Sequence, residues 1–247
     1  MNLSAELLFD TAEAIVKQLR ATQIPAIEQA AQIIAERCHQ DGVIHIFGAG
    51  HSRAFAMELA GRAGGVACAH AIGLEEVAHA EGQRDVPINL PDLERDPATA
   101  HKLLSLIKLH ENDVFIIVSN SGRNGAPVEL ALEVKRRNMP VIAVTSLNHS
   151  RATASRHPSG KRLFEIADVV IDNCCPYGDT LFDLPGTGMK ACSASSIAGM
   201  FIAQALTAEV IARLVALGGV PPIFISANVD GSDEHNAAIQ KRYEGRI

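Results

Sequence analysis

Apolar positions in this chain fall into two alternating rhythms. Leu7, Leu8, Thr11, Ile15 and Leu19 recur at helical spacing, and so do Ile27, Ala30, Ala31, Ile34 and Cys38. The first set predicts a helix over residues 4–20 with Ser4 as its N-cap, and the second a helix from Ile24 to His39 with Pro25 in its first turn. Short unbroken apolar runs follow: 43–47, 66–71, 114–118, 140–145 and 166–171. Each is too short for a membrane span and fits a strand buried on both faces. Helical patterns lie between them, at 54–63, 97–109 and 127–138. The longest apolar helix is expected at 195–217, stopped by Gly218-Gly219 and Pro221-Pro222. It is apolar nearly all round, so it is expected to be buried in the protein or in a dimer. Residues 172–188 and 224–247 read as a long loop and a polar tail.

The alternation of strand and helix specifies an α/β fold with a parallel sheet. Composition agrees. Of the 247 residues 47% are hydrophobic but only 4% aromatic, with no Trp, so the core is aliphatic. The net charge of −6 and the lack of a basic run argue against nucleic acid or an anionic membrane as partner. Five irregularly spaced cysteines, without a C-x-x-C pair, fit buried thiols better than a zinc site or disulfide framework. The N-terminus shows no secretory pattern, so a soluble cytoplasmic protein is expected. His45, inside the first strand, reads as a satisfied core histidine.

Two turns carry chemistry. The first strand runs into Gly48-Ala49-Gly50-His51-Ser52-Arg53, and the third into Ser119-Asn120-Ser121-Gly122-Arg123-Asn124. Each leads into a helix. Serine and asparagine there can cap the helix, or their hydroxyls and the free N–H groups can hold an anion. In an open parallel sheet both turns lie at the carboxyl ends of the strands and can converge on one ligand, which favours a phosphate. A dinucleotide fingerprint fails, because Arg53 stands at its last glycine and the acidic residue after the second strand is missing. A Walker loop fails for want of Gly-Lys-Ser/Thr.

These motifs, with Val141-Ile142-Ala143-Val144-Thr145-Ser146, resemble the sugar isomerase (SIS) family of phosphosugar-binding domains. Arg62-Ala63-Gly64-Gly65, Ser155-Arg156-His157 and Ala227-Asn228-Val229-Asp230-Gly231 extend the likeness to the UPF0309 branch and to nearly the whole chain. The resemblance implies one SIS domain over residues 1–247, with a helical pair at 4–40 and a long helix plus tail at 193–247. Its fold would be a flavodoxin-like αβα sandwich of five parallel strands. It implies a sugar phosphate held by Gly50, His51, Ser52, Ser119, Asn120, Ser121, Gly122 and Asn124, with Arg62 and Ser195 on the sugar. A homodimer is expected, and no cofactor or metal is called for.

The chemistry is less sharply marked. Phosphoheptose isomerases place a glutamate where this chain has Arg62; its nearest glutamate, Glu58, is a turn earlier. Moving a proton next to a carbonyl needs a carboxylate or imidazole, and the candidates are Glu58, Glu75, Glu81 and His235. Glu58 is equally placed to pair with Arg62 at i, i+4. The expected activity is a dehydratase or lyase on a 6-phosphorylated amino sugar, such as N-acetylglucosamine 6-phosphate. An aldose–ketose isomerase and a non-catalytic phosphosugar sensor are the alternatives.

Overall fold

A computed structural model describes residues 3–247. Two helices come first, α1 (Ala5–Thr22) and α2 (Ile24–His39). Ser4 caps α1 by accepting the Leu7 N–H at 3.1 Å. Then follow β1 (Ile44–Gly48), α3 (Arg53–Leu59), β2 (Ala69–Ile72), α4 (Leu74–Ala80), α5 (Pro91–Arg95), α6 (Ala98–Leu106) and β3 (Val114–Val118). The chain continues through α7 (Gly125–Arg136), β4 (Val141–Thr145), α8 (Leu147–Arg151), β5 (Val169–Asp172), β6 (Thr180–Leu184), β7 (Met189–Ser193), α9 (Ser195–Ala216) and α10 (Ser232–Arg242).

Five strands form one parallel sheet in the order β2-β1-β3-β4-β5. The three central strands are wholly buried, which is why they read as unbroken apolar runs. Alternation divides their side chains between two layers. Ile44, Ile46, Val114, Ile116 and Val118 pack towards α1, α2, α3 and α9. Phe47, Phe115 and Ile117 pack towards α4, α6 and α7. Each fully buried Ile or Phe contributes about 1.5–3 kcal/mol.

The strand order reverses at β1. Chain growth runs one way to β2 and the other way through β3, β4 and β5. Crossovers therefore leave β1 and β3 on opposite faces, and a crevice opens beyond their carboxyl ends. That position is where the two serine-bearing turns lie.

Several regions differ from the sequence reading. The loop expected at 172–188 contains most of an antiparallel hairpin, β6–β7. The polar tail folds into α10, which is bound back by Arg242 to Asp41 and by Arg246 to Asp113. β2 begins at Ala69, three residues later than expected, because residues 64–67 pair with 222–224 instead. Among the cysteines, Cys192 on β7 is exposed while the other four are buried, and burial raises the Cys175 thiol to about 12. α9, at 22 residues and with a mean hydropathy of 1.5 over its most apolar 18 residues, is long and apolar enough to cross a membrane. Its inner face, including Ala198, Ile202, Leu206 and Val210, is buried in the core layer it shares with α2 and α3.

Candidate functional site

The first turn is shaped by lack of space. A Cβ on Gly48 would lie 2.4 Å from the Ser52 carbonyl oxygen, so only glycine lets the chain double back there. One 3-10 turn, Gly50–Ser52, then leads into α3. Among the described residues, none accepts from the N–H groups of Ala49, Gly50 and His51, and the Ser52 hydroxyl is also unpaired. The turn therefore presents donors without acceptors.

The second turn is held more firmly. Ser119 N–H donates to the Val144 carbonyl at 3.0 Å, and the Ser119 hydroxyl accepts the Gly122 N–H at 3.2 Å. Gly122 has φ +58° and its carbonyl accepts from Leu163 N–H at 2.8 Å. The Asn120 carbonyl accepts from Ser146 N–H, and its side-chain oxygen accepts from the Asn173 amide at 2.8 Å. Asn120 Nδ2 is buried and has no partner among the described residues. The N–H groups of Asn120, Ser121 and Arg123 also lack acceptors there. A buried donor left unpaired costs about 1–3 kcal/mol, and an accepting ligand would satisfy Asn120 Nδ2 together with the half-buried N–H groups around it.

The two turns face a shared cavity of about 230 Å3. Ser52, Ser119, Asn120 and Ser121 line it, together with Glu94, His149 and Asp179. A small recess beside it is bordered by His51, Ser52, Asn120 and Ser195. Hydroxyls, N–H groups and an amide thus converge on one side, with two carboxylates and an imidazole around them.

Those three groups reach the cavity by specific local structure. Glu94 sits on α5, whose backbone abuts the start of α7. A Cβ on Gly125 would fall 2.1 Å from the Arg95 carbonyl oxygen. Glu94 Oε1 accepts from the Asn124 amide at 2.7 Å. His149 lies on α8, capped by Ser146 at 3.1 Å. Its Nδ1 accepts from Gly178 N–H at 3.3 Å, which leaves Nε2 as the protonated nitrogen of the neutral ring. Burial, then the Arg123 charge, push its pKa below the usual imidazole value, against an opposing pull from Asp179. Asp179, at φ +61°, accepts from Ser195 N–H at 2.7 Å and from the Ser195 hydroxyl at 2.6 Å. It occupies the N-terminus of α9, so that helix end is already supplied with a negative charge.

Of the residues expected from sequence, the cavity and its recess gather His51, Ser52, Ser119, Asn120, Ser121 and Ser195. Gly50 and Gly122 shape the turns. Asn124 is turned elsewhere, bridging Glu94 and Arg156. None of the four proposed acid–base residues lines the cavity. Glu58 is paired with Arg62 and accepts from Gln204 at 2.6 Å, which also takes Arg62 away from the sugar. Glu75 pairs with Arg53, the residue after Ser52, at 2.5 Å. Glu81 pairs with Lys102 on α6 at 2.6 Å. His235 is bonded to the Ile223 carbonyl at 2.9 Å.

Sequence reasoning missed Glu94, His149 and Asp179. His149 had a signal: β4 also runs through hydroxyls, Thr145-Ser146, into a helix, as β1 and β3 do. Glu94 follows Pro91 in the long charged connection, where no carboxylate stands out from the others. Asp179 is placed by a hairpin that has no local signature.

A match to the SIS domain covers residues 8–146. The chain belongs to the SIS family. Within it, a UPF0309 protein of Caldanaerobacter subterraneus is 39% identical over 235 residues, 94% of each chain. Another, from Halalkalibacterium halodurans, is 40% identical over 229 residues, 93% of each. The structure of phosphoheptose isomerase from Neisseria gonorrhoeae matches with a TM-score of 0.54 at 20% identity, over 84% of this chain and 96% of that one. At such identity the likeness is one of fold, and it confirms the five-stranded SIS architecture.

Proposed function

We propose that this SIS domain is an enzyme of 6-phosphorylated amino sugars that removes a proton beside the carbonyl and expels a hydroxyl as water. One observation carries the reading: donors of two turns that are unpaired among the described residues, at Ser52, Asn120 and Ser121, face a cavity that also holds Glu94 and His149. The donors suit a phosphate, since hydrogen bonds to a charged acceptor are the stronger kind. Elimination needs a base for the carbon acid and an acid for the leaving hydroxyl. Among the described residues only Oε1 of Glu94 accepts a hydrogen bond, and its other oxygen serves as base. His149, neutral with its proton on Nε2, serves as acid. Asp179 holds the start of α9 and the Ser195 hydroxyl in place. Neither role needs a cofactor.

Isomerisation begins with the same proton transfer, so the products separate the readings. The protein is incubated with N-acetylglucosamine 6-phosphate and a panel of related esters, and products are weighed by mass spectrometry. A loss of 18 mass units, about one water, is expected. A product of unchanged mass would make the chain an isomerase, and binding without turnover a sensor. The protein is placed in the cytoplasm with its phosphorylated substrate. It is read as a homodimer, joined through the apolar outer faces of α1 and α9 around Phe9 and Phe201.

A further inference from the structure

A second cavity, of about 720 Å3, lies along the outer edge of β2 and shares no lining residue with the serine turns. One wall is the strand itself, at Ala69, His70 and Ala71; the other is α10 with the residues after it. The volume is within the range of about 300–1,000 Å3 typical of small-molecule sites.

The edge is paired only part of the way. Gly64 N–H donates to Phe224 C=O at 2.8 Å, Phe224 N–H to Gly65 C=O at 3.0 Å, and Ala67 N–H to Pro222 C=O at 2.7 Å. Past Ala67 the covering segment leaves, and Phe224 becomes part of the cavity wall. Ala67 thus bonds outward, while the Cys68 carbonyl turns inward to Ile44 N–H at 2.8 Å. By the alternation of a strand, Ala69 and Ala71 turn outward again. The Ala71 N–H, flanked by the carbonyls of Ala69 and Ala71, makes an acceptor–donor–acceptor row along the cavity. An unpaired row of this kind is a template for a complementary edge.

His70 adds one more acceptor, fixed by a chain of buried groups. Asp113 is fully buried. Burial pushes its pKa up, but hydrogen bonds from His45 and from the Val43 and His110 N–H groups outweigh this and hold it below the usual carboxylate value. His45 Nε2 therefore donates to Asp113 Oδ2, at 3.2 Å, and its Nδ1 is left to accept from His70 Nδ1–H at 3.1 Å. His70 Nε2 keeps its lone pair. Burial, then the neighbouring His45, lower His70 to about 4, so the ring stays neutral. The cavity wall thus offers acceptors to a ligand's N–H or O–H, with one N–H from Ala71.

We infer that this cavity is a second small-molecule site, for a nucleobase-type heterocycle with an adjacent N–H donor and ring-nitrogen acceptor. The Ala71 main chain pairs with that edge, and His70 Nε2 takes a further N–H or O–H. The small side chains of Ala60, Ala69 and Ala237 let a flat ring lie close, and Phe224 offers it an aromatic face.

Adenosine is the test ligand, measured by calorimetry and thermal shift on the full chain. Binding is expected to be lost in Ala237→Trp, which fills the cavity from an exposed position on α10, and retained in Ser121→Ala. Folding of Ala237→Trp is checked by circular dichroism and a cooperative melt. N6,N6-dimethyladenosine, which lacks the donor, is expected to bind at least about tenfold more weakly, and His70→Phe to weaken adenosine about 2–10-fold, the worth of one neutral hydrogen bond. Absence of adenosine binding at millimolar concentration overturns the inference. So does binding that survives Ala237→Trp but is lost in Ser121→Ala, or dimethyladenosine binding as well as adenosine.

Discussion

On the proposed reading, the side chains around the serine turns divide into those that hold and those that react. The Ser121 hydroxyl lines the cavity and has no partner among the described residues, so replacing it by alanine removes a donor without disturbing a bond there. Ser121→Ala is expected to weaken sugar phosphate binding by about 1.5–3 kcal/mol, the worth of a hydrogen bond to a charged group, seen as loss of the ligand-induced rise in Tm. Glu94→Gln and His149→Gln keep shape but not proton transfer. Each is expected to lower kcat about 100–10,000-fold, with KM changed far less, in steady-state assays. Glu58 was one of the four acid–base candidates read from the sequence, where it was equally placed to pair with Arg62; its carboxylate is taken by Arg62 and Gln204. Glu58→Gln is expected to leave kcat within a few-fold; a loss as deep as that of Glu94→Gln would restore Glu58 as the base. The serines were legible because a strand, a small-residue turn and a helix follow one another in sequence. Of the proposed acid–base groups only His149 had a local signal, in the Thr145-Ser146 turn; Glu94 on α5 is brought to the cavity by packing that no local pattern encodes.

Between elements, the buried contact of β1 with β2 carries a pH dependence. His70 titrates near 4 in the folded chain against an ordinary value near 6.5. Between these values the unfolded chain binds the extra proton, so the folded state is at full advantage above about pH 6.5 and loses it as pH falls towards 4. Tm is expected to decline over that window, and the decline to shrink in His70→Gln. Asp113, held below its ordinary value, adds a further loss at lower pH as it is protonated. The sheet was legible to within a few residues, since central strands buried on both faces have to be apolar throughout. β5 and β2 each begin three residues later than expected, and for β2 the cause is visible. Its preceding residues pair with 222–224, a contact more than 150 positions away that no window of sequence contains. α10 was hidden for the opposite reason: it buries few apolar residues and is fastened by arginines, so its pattern is that of a tail.

At the scale of the molecule, α1 and α9 bury one face in the core and leave another bare. Phe9 is 69% exposed and Phe201 53%, and between them lies a groove lined by Leu8, Val16 and Ile197. On the proposed reading this exposed apolar surface is where two copies of the chain meet. Phe201→Glu is expected to convert a dimer into monomers, checked by light scattering after size exclusion. An unchanged mass would place the dimer contact elsewhere. The all-round apolar pattern of α9 reflects both of its faces, one buried in the core and one bare at Phe201.

The pairing of β1 with β3 joins residues 70 positions apart, Ile44 opposite Val114. Each strand ends in one half of the serine cradle. Closing a loop of that length costs entropy before any contact rewards it, so the pairing comes late in folding relative to the helices. A nascent or partly unfolded chain therefore holds neither half in working geometry. On the proposed reading, the capacity to bind phosphate is a proofreading mark: only a chain whose central strands have met would carry the ligand, and the bound ligand would stabilise that pairing.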